Sequence, residues 1–238
     1  QAEDGIRDPD HSLVGSEMCI RDRASLTPHG PHSGTINAVK HDGTPVLTGT
    51  ASIGTDTSTE LDARRERGLG DPGELFIVDR LEIGMTSGPE VVTMHSDSHN
   101  GALYPFTLGE KIERITERSP WYDVGTEGTE SPWGAAIVPT EMVSVLAHQR
   151  GADFPVRGPA VGLFIDLEVR YVGGPVFVGR PYEIVHTLVG VGQSRSVESY
   201  WTESTVTDDE TGVCAATVLL HQGVFKASYA DYPSRSDG

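Results

Sequence analysis

Residues 131–149 read SPWGAAIVPTEMVSVLAHQ, and between Ser131 and Gln149 the only charge is Glu141. Val138, Met142, Val145 and Leu146 recur at the i, i+4, i+7, i+8 spacing that places side chains on one face of a helix. Pro139 suits a first helical turn, where its missing N–H has no intrahelical partner, and Glu141 complements the positive end of the helix dipole. A helix with so few charges must be covered on most sides. The segments around it are strand-like and supply the cover.

The clearest of these follow the helix. In residues 163–171, Leu163, Ile165, Leu167, Val169 and Tyr171 alternate with Phe164, Asp166, Glu168 and Arg170, the period of a half-buried strand. After the turn at Gly173-Gly174-Pro175, residues 176–189 predict a second strand, bent near 179–181 because Pro181 cannot donate to a ladder. Residues 194–207 and 212–229 predict a third and fourth, joined by the turn DDETG. Ahead of the helix, residues 75–83 and 90–94 read as strands broken at 84–89, and 108–116 as a short helix. The Pro/Gly-rich loop carrying Trp121, Tyr122 and Trp133 then leads into residues 131–149. Further back, residues 35–39 and 46–53 flank an Asp-Gly turn and read as a hairpin. Residues 58–73 read as a linker whose Arg64, Arg65 and Arg67 form a solvated face. The sum is α+β: a long antiparallel sheet around one central helix.

Composition narrows the partners. The 238 residues are 37% hydrophobic and 22% charged, with a formal net charge of -17, which repels phosphates and argues against nucleic acid or an anionic membrane surface. No apolar run approaches the ~20 residues needed to span a bilayer, so no membrane insertion is expected. QAEDGIRD at 1–8 and SLVGSEMCIRDR at 12–23 resemble translated sequencing adapters, so residues 1–23 are expected to be a disordered artefact, with the gene's own sequence starting near Ala24. Without Cys19, Cys214 is a lone thiol, which fits a reducing cytoplasm and a core role. His95, Asp97 and His99 in MHSDSHN lack a third strong ligand nearby, so the reading is a polar loop and no metal.

The order of loop, central helix and four long strands, with SPWGAAIVP and a preceding WY, resembles the hotdog fold of MaoC-type acyl dehydratases and R-specific enoyl-CoA hydratases. The resemblance covers roughly residues 75–232. It implies a hotdog domain at 74–232 with a tail at 233–238. The hairpin at 24–57 would then be the remnant of a truncated first repeat, making the intact protein a double hotdog. The family's active-site pattern G-D-x-N-P-x-H falls here on Thr116-Glu117-Arg118-Ser119-Pro120-Trp121-Tyr122. Glu117 takes the Asp position and Tyr122 the His position. An unperturbed tyrosine titrates near ~10, so Tyr122 is a donor rather than a base at neutral pH. The family's His-Gly at the helix start corresponds to Pro139-Thr140, where Thr140 can still offer a backbone N–H to a thioester oxygen.

The resemblance therefore implies an acyl-thioester enzyme, a 2-enoyl hydratase or 3-hydroxyacyl dehydratase. Its expected catalytic residues are Glu117, Tyr122 and Thr140, and its substrate-binding residues Trp133, Pro139, Arg180 and Arg195. The two arginines lie at turns where they could meet a phosphate. No cofactor is implied beyond CoA or a carrier protein borne by the substrate. The expected partner is a second copy, as a homodimer, or the missing N-terminal repeat. Two other functions stay open: a non-catalytic half that shapes or binds the acyl chain, and a thioesterase using Glu141. The structural alternatives are Glu117 at the solvated end of a short helix, Tyr122 as a loop anchor and His148 as a dipole partner. His186 and His221 would face neighbours or solvent, and Glu198 and Glu203 an exposed sheet face.

Overall fold

The computed structural model describes residues 23–30, 33–52, 63, 71–100, 104–115, 119–124 and 130–233. Residues 1–22 of the expected leader at 1–23, most of the linker with its three arginines, Glu117 and residues 234–238 of the expected tail at 233–238 lie outside the described residues, while Arg23 opens the first strand. The chain divides into two compact units, Gln1–Thr59 and Glu60–Gly238.

The first unit holds a three-stranded antiparallel sheet: β1 (Arg23–Pro28), β2 (Ser33–Val39) and β3 (Pro45–Ser52), in that order. The expected hairpin is β2–β3. Its turn closes with Asp42 Oδ1 accepting from the Thr44 N–H at 2.9 Å, and Gly43 takes the positive φ (85°) that the turn needs. β1 was not legible in the sequence, because all six of its residues are exposed and burial imposes no period on them.

Among the described residues, the second unit is a five-stranded, wholly antiparallel sheet of order β4-β6-β7-β8-β5 with few helices. Its strands are β4 (Thr86–Thr93), β5 (Gly162–Tyr171), β6 (Pro181–Gln193), β7 (Val197–Asp208) and β8 (Cys214–Phe225). Helix α1 (Leu108–Arg114) begins with a capping box, in which Thr107 and Glu110 satisfy each other's backbone N–H. Helix α2 (Thr140–Ala147) packs against β5, β7 and β8. It buries Met142, Val143 and Leu146 in a core completed by Met94, Leu108, Tyr182, Ile184 and Val218.

Five sequence expectations need correction. The helix is eight residues, from Thr140 to Ala147, so the expected stripe starts too early, at Val138. Ahead of it Val138 is buried in extended chain, donating its N–H to Val176 O at 2.8 Å, and Pro139 is the N-cap rather than part of the first turn. Val143 joins the buried face, whereas Val145 is only partly buried. Residues 75–83 form turns, not a strand, because the N–H groups of Phe76, Ile77 and Val78 find their acceptor in the carboxylate of Glu198 instead of a neighbouring strand. β4 runs through the expected break, since a register shift between Ser87 and Glu90 absorbs Gly88-Pro89 on what is an edge strand. β6 starts only at Pro181, and residue 177 contributes a single bridge to Ile137. β5 also departs from its alternation: a shift between Phe164 and Asp166 leaves Ile165, Leu167 and Tyr171 as well as Phe164 exposed on an edge.

Candidate functional site

The loop ahead of α2 is fixed by its backbone. Ser119 caps the 3-10 turn Pro120–Tyr122 through the Trp121 N–H (3.3 Å), and Ile137 N–H donates to Trp121 O at 2.9 Å. Trp121 meets Trp133 edge to face, with ring centroids 5.5 Å apart. This bracing sets Tyr122 beside the start of α2. There the Tyr171 hydroxyl, from β5, donates to Thr140 Oγ1 at 3.2 Å. Burial raises the Tyr171 pKa, the Thr140 bond opposes that, and the neighbouring Tyr122 adds to it. Tyr171 therefore stays a proton donor at neutral pH.

Tyr122 and Thr140 thus come together, with Tyr171 as a third member that sequence reasoning placed only as a strand residue. Pro139 is buried behind them, and Trp133 stands half exposed on the loop. Glu141 lies in the first turn of α2 but is tied to Lys111 at 2.8 Å. The two arginines lie apart from each other. Arg180 pairs with the buried carboxylate of Asp208 at 3.0 Å and lies 4.6 Å over the Phe177 ring. Arg195 is exposed in the turn after β6, so the thirteen-residue strand holds the two roughly 40 Å apart at about 3.3 Å per residue. His95, Asp97 and His99 are exposed, and among the described residues no group of three could hold a metal ion. No helix among the described residues is long and apolar enough to cross a membrane.

A second set of polar groups lies at the other end of α2, its members drawn from the helix end, β6 and β7. His186 of β6 is 2% exposed and its Nδ1 lies 2.8 Å from Ser204 Oγ. Its ring sits 5.5 Å from that of His148, the residue that ends α2. Burial, helped by the nearby His148, pulls the His186 pKa down to about 4, and burial lowers that of His148 as well. His148 is therefore neutral at pH 7, not the charged dipole partner the sequence suggested. His221 of β8 stacks on Trp201 at 4.2 Å and lies 3.4 Å from Asp166.

The histidine pair makes stability depend on pH in a definite direction. Unfolded, a histidine takes its proton near 6.5; folded, His186 does so only near 4. Between those values the unfolded state holds protons that the folded state lacks, so stability is complete above the upper value and is lost as pH falls toward the lower. Thermal melts taken down through that window should show Tm dropping, with a shallower slope in His186→Gln. An unchanged Tm, or the same slope in the variant, contradicts the assignment.

No protein-family model and no curated protein matches the sequence. Solved structures similar to the chain include the monoamine oxidase regulatory protein from Archaeoglobus fulgius, at 13% identity and a TM-score of 0.48 over 63% of this chain and 94% of that one. The MaoC-like dehydratase from Rhodospirillum rubrum matches at 10% identity and TM-score 0.45, covering 63% and 97%. The (R)-hydratase from A. caviae matches at 13% and 0.42, covering 60% and 96%. Similarity at these levels carries no chemistry over to this chain.

Proposed function

We propose that the second unit is a hotdog domain, its sheet wrapped on α2, that binds an acyl thioester and adds water to a 2-enoyl group or removes it from a 3-hydroxyacyl group. The observation that supports this most is the Tyr171–Thr140 hydrogen bond, which brings two hydroxyls together at the start of a nearly uncharged helix, with Tyr122 in the neighbourhood of Tyr171. The helix dipole and the first N–H groups favour an oxygen that gains negative charge, as a thioester carbonyl does in either direction of this reaction. In hydration, Glu117 takes a proton from water as its oxygen bonds to the β-carbon. Tyr122 gives its proton to the α-carbon and regains one from Glu117. Thr140 N–H holds the enolate oxygen, and Trp133 and Pro139 wall the thioester. The proposed setting is a reducing cytoplasm, in keeping with the partly buried free thiol of Cys214.

General acid–base groups contribute about 10²–10⁴-fold, so Glu117→Gln and Tyr122→Phe should each slow enoyl-thioester hydration at least about a hundredfold. The double variant should lose little more, because both serve one step. Hydration that ignores both substitutions removes them from the mechanism.

A second reading, in which the unit holds an acyl chain without transforming it, has its own support. The Thr140 and Tyr171 hydroxyls already engage each other, and Glu141 is neutralised by Lys111. That pairing also weighs against a thioesterase built on Glu141. Under either reading we assign pairing to β5, an edge strand with Phe164 64% exposed beside exposed Ile165 and Leu167. A homodimer or larger species is expected in sedimentation velocity at micromolar concentration. A sharp monomer contradicts it.

A further inference from the structure

The tripeptide Ser-Pro-Trp occurs twice in the loop ahead of α2, at 119–121 and at 131–133. In each copy the serine hydroxyl oxygen accepts from the tryptophan N–H at 3.3 Å, a local turn that sets where the indole leaves the chain. The first copy is pinned by Ile137, whose N–H donates to Trp121 O at 2.9 Å. The second is pinned by the Ser131 hydroxyl, which donates to Ala135 O at 2.6 Å. Held in this way, the two rings stand at 84° to each other with centroids 5.5 Å apart.

An edge-to-face pair uses the edge of one ring and part of one face of the other. The faces that remain form two walls of a corner, and the corner is open: Trp121 is 41% and Trp133 48% exposed. Core packing does not account for them, as it does for Trp201, which is 3% exposed. Two large apolar rings fixed by hydrogen bonds and left facing water are a prepared surface.

Charge decides what that surface holds. Indole faces are electronegative and attract cations better than the rings of Phe or Tyr do. The chain uses this attraction elsewhere, with Arg114 over Phe106, Arg180 over Phe177 and Lys226 over Tyr232. Among the described residues, no cation lies over Trp121 or Trp133. The sequence around the pair adds to the pull. From 117 to 141, Glu117, Asp123, Glu127, Glu130 and Glu141 stand against Arg118 alone. An anion is repelled by such a segment. A bare ammonium holds its water or goes to a carboxylate, whereas an alkylated one spreads its charge over methyl groups that pack on indole faces.

We infer that the Trp121–Trp133 corner binds the methylated ammonium group of a small organic cation, with a face of each indole against its methyl groups. Trp133 also walls the proposed thioester site, and Tyr122 follows Trp121 in the same turn, so the corner adjoins that site. Binding of the cation needs no thioester chemistry. The inference goes beyond the thioester reading, and its failure leaves that reading standing.

The test uses the full chain with ¹⁵N-labelled tryptophan, whose three indole N–H signals are followed as a probe is added. The probes are choline, 3,3-dimethyl-1-butanol and 3,3-dimethylbutyrate, which share a shape and differ in charge. Choline should move the Trp121 and Trp133 signals and leave that of Trp201, stacked on His221, in place. The alcohol should bind about tenfold more weakly, the scale of two exposed cation–π contacts, and the carboxylate should have no effect. Trp121→Leu and Trp133→Leu, checked for folding by circular dichroism, should each remove most of the preference for choline over the alcohol. Trp121→Phe keeps a ring face and should retain part of it. The spectrum of the unsubstituted protein decides the matter even if a variant fails to fold. Equal binding of choline and the alcohol, movement of the Trp201 signal with the other two, or no response to choline overturns the assignment.

Discussion

Met142→Asp is expected to unfold the second unit. Met142 is 0% exposed and packs within the core that joins α2 to the sheet. A carboxylate there has no partner, so it must either stay charged in an apolar setting or take up a proton. The cost is several kcal/mol, a large share of a typical stability of about 5–15 kcal/mol. Val145→Asp, three residues on, should cost much less, because that side chain is only partly buried and borders a cavity. Loss of the cooperative thermal transition in the first variant and its retention in the second is the expected pattern. Parent-like melting of Met142→Asp would mean that this face of the helix is not buried.

Glu198→Leu should destabilise the unit on a similar scale through a different cause. The carboxylate is fully buried, yet it accepts from the backbone N–H groups of Phe76, Ile77 and Val78 and from the Tyr232 hydroxyl. Leucine fills the space but leaves three backbone donors without their acceptor and removes the bond from Tyr232. At about 1–3 kcal/mol for each orphaned group the loss is on the order of 4 kcal/mol or more. That corresponds to a fall in Tm of roughly 10 °C for a domain of this size. Glu198→Gln keeps an accepting oxygen and should fall between leucine and the parent. Tyr232→Phe removes one donor and should cost about 1 kcal/mol. A leucine variant within a degree or two of the parent would show that residues 76–78 do not rely on this carboxylate.

Glu198 also shows where sequence reasoning ran out. The apolar run at 75–83 looks like a strand because burial selects the same residues whatever satisfies the backbone. Its acceptor lies 122 residues from Phe76, in a segment polar enough to suggest an exposed face. β6 was legible for the opposite reason: ladder and burial agree along it, and its residues alternate between buried and half-buried with a period of two. Val138 and Pro139 read as helix because the chain before Thr140 is equally apolar and uncharged, though it is held extended by Val176 and Trp121.

The candidate site was legible in part. Position in the loop and at the helix start pointed to Tyr122 and Thr140, and both lie together. Tyr171 is 31 residues from Thr140, and the period of β5 hid its role. Arg180 and Arg195 looked alike as turn residues, but one is bound to Asp208 and the other stands beyond the far end of β6.

The most direct measurement mixes the full chain with a short 2-enoyl thioester and follows both its ultraviolet absorbance and the release of free thiol. Absorbance should fall at a rate that saturates with substrate, with no thiol released. Release of free thiol, or thioester that the folded protein neither bleaches nor binds, contradicts the account.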